Sequence, residues 1–337
     1  MLDRESIQKI LLLRLSAVGD VINTLPAVSA IRSSFPHAHV AFIVEDKAKD
    51  VVIGHPDLDE VIIFPRKTWS RPLRFFRTAG EVSGYLGAIR RRQFDVLLDF
   101  QGNLKGGMHA WLSGVPVRIG FARGHSNEMN HWFSTIRVAP YSEQINRVEK
   151  FLALLQPLGV PPSLGRYRLP PSAESERAVT AWLRSLALDR YVVVHPGTSD
   201  YGKAKRWPLD RFAQLSDRIE AEARLKVVIA WGPGERPMAE EITRSSRATI
   251  AMETRSLLDL AELQRRASLF VGADSGPLHL ASAVGVPSVA LFGPKDPAVY
   301  GPYNPRHRVV YKPNGNGRGS MEAITVEDAF RAVASLL

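Results

Sequence analysis

The sequence predicts an α/β protein of two facing Rossmann-like domains, each a doubly wound parallel sheet, with a cleft between them. Short apolar runs alternate with helical periodicity, and they do so twice along the chain. A Pro-rich stretch with Pro161, Pro162, Pro170 and Pro171 separates the two alternations. The 337 residues suit two domains of about 100–200 residues each, placed at 1–170 and 171–337.

Taken in order, Lys9 to Leu15 (KILLLRL) reads as a buried strand, because it is short, apolar and followed by a Gly-containing turn. Val21 to Phe35 reads as a helix stopped by Pro36. Strands follow at Val40 to Val44, Glu60 to Phe64 and Phe94 to Phe100, the last after helical residues Leu86 to Arg92. A helix from Gln144 to Leu158 closes the first array at Gly159. The second array has strands at Tyr191 to His195, Lys226 to Trp231, Leu269 to Gly272 and Ser288 to Phe292. Helices fit Leu209 to Ala223, Arg236 to Ser245, Leu257 to Arg266 and Gly276 to Val284. The terminal helix, Val326 to Leu337, is one that could return to pack on the first domain.

Composition narrows the function. Apolar residues make up 45% and charged residues 23%, enough to fill two cores. No apolar run approaches the ~20 residues that span a bilayer. Arg14 interrupts the N-terminal run and no small-residue cleavage site follows, so a cytoplasmic protein without a signal peptide is expected. The absence of cysteine excludes disulfides, thiol nucleophiles and Cys-rich metal sites. A net charge of +10 points to an anionic partner or to solubility alone.

Three loops at strand ends carry candidate chemistry, where open α/β sheets place their sites. Ser16-Ala17-Val18-Gly19-Asp20 offers a glycine for close substrate approach and a carboxylate at a helix start. Asp20 is a catalytic group or a helix N-cap. The stretch His195 to Pro208, HPGTSDYGKAKRWP, offers the backbone and hydroxyls of Gly197, Thr198 and Ser199 with the cations Lys203, Lys205 and Arg206. That set suits a diphosphate, though a solvated basic loop has the same composition. In GADSGPLHL, Asp274-Ser275-Gly276 opens a helix whose N-terminus favours phosphate, with simple capping as the alternative. His279 reads as a packing residue. Glu235 follows a strand and a Gly-Pro-Gly turn, placed for ribose hydroxyls or merely for the helix dipole. The dinucleotide fingerprint and the Walker order are both missing, which argues against a dehydrogenase and a P-loop enzyme.

Between Arg66 and Arg92 lie eight Lys/Arg and one acidic residue, Glu81, interleaved with Trp69, Phe75, Phe76 and Tyr85. Arg66, Lys67 and Trp69 suit a phosphorylated lipid or an anionic membrane face. Stacking on nucleic acid is the other chemistry such a segment allows, but no recognised reader motif accompanies it. Asp57-Leu58-Asp59 matches a metal-holding D-x-D pattern, yet it follows Pro56 and reads as a turn.

Taken together, LLLRLSAVGDVINTLPAVSAIRSSFP, AKRWP and GADSGPLHLASAVGVPSVALFGPKDP resemble the lipopolysaccharide heptosyltransferases, the ADP-heptose-dependent glycosyltransferases of family 9 with the GT-B fold. The AKRWP form looks more like the second-heptose type. The resemblance implies Asp20 as catalytic base, with Gly19 beside the acceptor. It implies Lys205, Thr198 and Ser199 on the donor's phosphates, Asp274, Ser275 and Gly276 on diphosphate and sugar, and Glu235 on the ribose. It places Arg66, Lys67 and Trp69 where the family binds a phosphorylated, lipid-linked saccharide acceptor. It implies inversion without a required metal or bound cofactor, the nucleotide sugar being a co-substrate. Nucleic acid is not an expected partner; the cytoplasmic face of the inner membrane, met peripherally, is.

Overall fold

The computed structural model describes residues 4–64, 75–313 and 318–337. The chain divides into two compact units, Met1–Pro170 and Pro171–Leu337. The first contains β1 (Lys9–Leu13), α1 (Val18–Ser34), β2 (His39–Glu45), β3 (Glu60–Phe64), α2 (Phe75–Arg91), β4 (Val96–Asp99), α3 (Leu104–Leu112), β5 (Val117–Phe121), β6 (Ile136–Val138) and α4 (Arg147–Ala153). The second contains α5 (Ala173–Ser185), β7 (Tyr191–His195), α6 (Leu209–Arg218), β8 (Lys226–Ile229), α7 (Arg236–Arg244), β9 (Thr249–Ile250) and α8 (Leu257–Arg265). It continues through β10 (Leu269–Ala273), α9 (Gly276–Val284), β11 (Ser288–Phe292), α10 (Pro297–Tyr300), β12 (His307–Tyr311) and α11 (Val326–Ala334).

Each unit is built on a parallel sheet. Among the described residues the orders are β3-β2-β1-β4-β5-β6 and β12-β11-β10-β7-β8-β9. Counted from the first strand of its own unit, each sheet runs 3-2-1-4-5-6. The chain direction therefore reverses between β1 and β4, and again between β7 and β10. At such a switch point the following connections diverge and leave a crevice beyond the strands' carboxyl ends. Leu13 pairs with Asp99 at the first switch point, and His195 with Gly272 at the second.

The central strands are buried on both faces, which is why they read as unbroken apolar runs. All five residues of β7, β10 and β11 are buried. Helix α1 is buried over nearly its whole length, including Asn23, Thr24 and Ser29. It starts at Val18, three residues before the sequence-based expectation, because Ala17 rather than a polar residue occupies the N-cap. Strands β5, β6, β9 and β12 are additions to the sequence reading. Three of them are short or partly exposed edge segments without a long apolar signature. Helix α3 (LKGGMHAWL) carries two glycines that lower helix propensity. Helix α5 follows the Pro-rich stretch and is a further addition to the sequence reading; Ser172 caps it by accepting from Ser175 N–H. The terminal helix packs within the second unit, against α6, β11 and β12.

The segment leaving the first unit is fastened to α1. Arg166 N–H donates to Ser29 Oγ at 2.8 Å, and Tyr167 OH donates to Asn23 Oδ1 at 3.1 Å. Arg168 pairs with the buried Asp57 at 2.5 Å. His55 Nδ1 accepts from Asp57 N–H at 3.1 Å, so its Nε2 carries the proton that Arg168 O accepts at 3.0 Å. Burial, which pushes the His55 ring below its ordinary range, is consistent with that neutral form.

Trp207 anchors the second core: its ring meets Phe212 edge-on at 4.9 Å, and its indole N–H donates to Ile324 O at 3.0 Å. Trp207→Ala is expected to lower the stability of this unit by about 3–5 kcal/mol, read as a shifted midpoint in urea unfolding. An unchanged midpoint would show that this block is not a core anchor.

Candidate functional site

In the first unit, the loop after β1 delivers Asp20 to the third position of α1. The N-cap is Ala17, so capping does not explain this carboxylate. Its Oδ2 pairs with Arg14 and its Oδ1 lies 3.5 Å from Arg147 Nε at the start of α4. Arg14 is buried, donates through Nη1 to Phe100 O at 2.6 Å, and lies over the Phe151 ring. Burial pushes this guanidinium below its ordinary range, with Asp20 the largest opposing influence. The loop after β4 braces the site: Gln101 Oε1 accepts from Leu15 N–H at 3.0 Å. Asp99 in turn holds that loop, accepting from Gln101 N–H at 2.9 Å and from Asn130 Nδ2 at 2.7 Å. Gly19 is buried beside Asp20 in the first turn of α1.

A third cation completes this cluster. Lys150 Nζ donates to His125 O at 2.6 Å and sits 4.7 Å from the centre of the Phe121 ring. Burial, then the charges of Arg147 and Arg14, push its pKa down to about 8, against the pull of Glu143 and Asp20.

In the second unit, the loops after β7 and β10 meet at the switch point. Lys205 Nζ pairs with Asp274 Oδ2 at 2.6 Å, and His279 Nε2 stands 3.7 Å from Asp274 Oδ1. Burial works to raise the Asp274 carboxyl, but His279 and Lys205 outweigh it and hold it below the usual carboxylate range. Asp274 precedes the cap, so capping is not its role. Ser275 is the N-cap of α9 but makes no side-chain cap bond. Its buried Oγ has no hydrogen-bond partner among the described residues. Gly276 opens α9 and its N–H lacks an intrahelical partner; Pro277 has no N–H, and Leu278 N–H donates to Ser275 O at 3.1 Å. A hydroxyl, the Gly276 N–H at a helix start and an ammonium thus stand on the two loops of one switch point, as an anion site needs.

Two donor-loop residues differ in exposure. Ser199 is exposed at the start of the 3₁₀ turn that ends in Lys205. Thr198 is 4% exposed and its hydroxyl is committed within the loop: Oγ1 lies 2.9 Å from Gly202 O and accepts from Arg206 Nε at 3.1 Å. Its side chain is a brace for the loop rather than an open donor. Glu235 Oε2 accepts from Gly232 N–H at 2.9 Å and stands 3.4 Å from the buried His195 Nε2. A Cβ at 197 would run into this carboxylate, so any other residue there would displace the Glu235 side chain. Burial pushes the His195 ring below its ordinary range while Glu235 draws it up.

Arg66, Lys67 and Trp69 lie outside the described residues. The D-x-D pair is committed elsewhere: Asp57 to Arg168, and Asp59 to Arg32 and to Val40 N–H. Sequence reasoning did not assign roles to Arg14, Arg147, Lys150, Gln101 and His195, and took His279 for packing alone. The signal for His279 was its place one turn into the helix that Asp274 precedes.

A carboxylate at one switch point and an anion-binding set at the other, each on its own Rossmann-like sheet, define a glycosyltransferase of the GT-B class. The profile of glycosyltransferase family 9 (heptosyltransferase) matches residues 86–324, and the chain belongs to that family. Lipopolysaccharide heptosyltransferase 1 of Pseudomonas aeruginosa is 27% identical over 302 residues, covering 88% of this chain and 81% of that one. Lipopolysaccharide heptosyltransferase 2 of Escherichia coli K12 is 24% identical over 315 residues, covering 90% and 87%. The structure of E. coli heptosyltransferase WaaC with ADP has the same fold, with a TM-score of 0.79 at 21% identity over 98% of this chain and 100% of that one.

Lys150 supplies a test of the first-unit cluster. Folding favours its neutral form, so the group is charged below about pH 8 and neutral above. Its contribution to stability therefore rises with pH from about 8 towards the ordinary 10.5. NMR of ¹³C-labelled lysine is expected to show one resonance with a midpoint near 8 that disappears in Lys150→Met. In Arg147→Gln the midpoint should move up; a midpoint at the ordinary value in the unsubstituted chain would dissolve the cluster.

Proposed function

We propose that this chain transfers a heptose from ADP-heptose to a phosphorylated, lipid-linked saccharide of the lipopolysaccharide inner core. The observation that carries the reading is the second-unit set of Lys205, Ser275 and the α9 N-terminus, at the address where a nucleotide diphosphate is held in α/β sheets. The family's name and the printed names of its relatives supply the sugar.

In this reading, Asp20 accepts the proton of an acceptor hydroxyl as that oxygen attacks the anomeric carbon. The new glycosidic bond forms on the face opposite the breaking bond to the β-phosphate oxygen, so configuration inverts. The electron pair leaves with ADP. Lys205 and the α9 N-terminus, with Ser275 Oγ and the backbone of the Thr198–Ser199 loop, stabilise the charge that grows there. Glu235 accepts from ribose hydroxyls. Arg14 and Arg147 hold the Asp20 carboxylate in place. The enzyme requires no metal or bound cofactor and works at the cytoplasmic face of the inner membrane, where its acceptor is anchored.

Asp20→Asn is expected to leave ADP affinity unchanged and to cut turnover by about 10²–10⁴-fold in a transfer assay. Turnover at the original rate would remove Asp20 from the mechanism.

Calorimetric titration with ADP, UDP, GDP and NAD in EDTA tests the donor. Selective ADP binding supports the reading. Preference for UDP or GDP would keep the transferase and change the sugar, preference for NAD would overturn it, and no binding would indicate a non-catalytic homologue. Lys205→Ala is expected to weaken ADP binding by about tenfold or more, the scale of a lost charge-assisted hydrogen bond. Equal affinity would take Lys205 out of the phosphate site.

A further inference from the structure

Helix α3 presents a stripe of large apolar residues to solvent. Leu104, Met108 and Trp111 fall at i, i+4 and i+7, on one helical face, and all three are exposed, Trp111 by 58%. The 3₁₀ turn Asn130–Phe133 packs alongside. Leu104 N–H donates to Glu128 Oε2 at 3.2 Å, and Asn130 Nδ2 donates to Asn103 O at 2.8 Å. This turn adds Met129 and Trp132, the latter 65% exposed. Single exposed apolar residues need no explanation, but five large ones on two adjoining elements mark an interaction surface.

The charge around these elements selects the partner. Arg90 Nε donates to Leu112 O at 3.0 Å, beside Trp111. Arg137 Nε donates to His131 O at 2.7 Å, beside Trp132, and Arg118 Nε donates to Phe133 O at 2.8 Å. Among the described residues, three guanidinium groups are thus tied to the backbone of the same two elements, against one carboxylate, Glu128, while Glu45 pairs with Lys105 and Asp99 accepts from the Asn130 side chain. Tryptophan and methionine rimmed by arginine match an interface with apolar chains beneath an anionic headgroup layer.

We propose that the α3 stripe with Met129 and Trp132 is the face by which this protein docks on an anionic lipid bilayer. This rests on the lipid-linked acceptor proposed above. The position supports it: α3 begins three residues after Gln101, whose side chain holds the backbone of the Asp20 loop. A bilayer met at α3 therefore brings an anchored acceptor to the catalytic loop. The apolar side chains enter the headgroup boundary, and the arginines meet lipid phosphates.

The test uses the full chain with phosphatidylcholine vesicles, with and without phosphatidylglycerol. The unsubstituted protein is expected to co-sediment with the anionic vesicles, less so at high salt, and brominated lipid should quench its tryptophan fluorescence. Trp111→Ser/Trp132→Ser should lose that quenching and at least about tenfold in vesicle affinity, with circular dichroism unchanged. Arg90→Glu/Arg137→Glu, which leaves the apolar side chains in place, should weaken binding to anionic vesicles as well. Vesicle binding unaffected by both double substitutions would overturn the proposal. So would no vesicle binding at all, or a tryptophan effect confined to self-association of the chain. Transfer to a delipidated acceptor sugar is measured in parallel. Its failure would count against the proposed reaction, and it does not depend on the vesicle result.

Discussion

Parallel pairing around a reversal of chain direction is the constraint on which the rest depends. A parallel sheet cannot turn directly from one strand to its neighbour, so every connection crosses a face as a helix or long loop. Where the crossovers change sides, between β1 and β4 and between β7 and β10, the two following loops part. Asp20 and Gln101 come from the two loops at the first parting, and Lys205 and Asp274 from the two at the second. The central pairs themselves fix the register of these loops, Leu13 against Asp99 and His195 against Gly272.

Charge is used economically around these loops. A guanidinium out of water is costly unless it is paired and its remaining donors are filled. Arg14 is paired with Asp20, its Nη1 donates to two carbonyl groups and it lies over the Phe151 face, while its buried Nε has no hydrogen-bond partner among the described residues. Arginine and aspartate therefore form one unit, since removing either strands the other. Asp274 is a comparable case, a largely buried carboxylate between a lysine and a histidine. In the second unit the two partners come from different loops, whereas Arg14 and Asp20 flank one loop and Arg147 approaches from α4.

Much of this was legible in the residues. Strands buried on both faces announce themselves as apolar runs, and Gly, Ser and Asp at their carboxyl ends mark the site loops. What escaped depends on contacts distant in sequence. Arg14 looked like an interruption of an apolar run, and only the fold reveals that Asp20, Phe100 and Phe151 surround it. Arg147 and Lys150 sit on a helix that periodicity alone marks as ordinary. Thr198 looked like an open hydroxyl because its partners, Gly202 and Arg206, lie across a turn. Of the two readings left open for Asp20, the N-cap falls away because the helix starts after Ala17, which a helix buried by tertiary packing allows. Edge strands of two or three residues carry too little pattern to be read.

The fastening of the exit segment to α1 gives that helix a second office. With 17 residues, α1 is about 25 Å long. Its far half is stapled to the chain through Ser29 and Arg166, while its first turn carries Asp20. A pull or twist applied at Pro170 thus enters the first unit through a helix whose other end holds the Asp20 carboxylate, with Pro26 removing a backbone hydrogen bond between the two points. In mechanical terms α1 is a link with a joint at Pro26, and the segment through Arg166 is its handle.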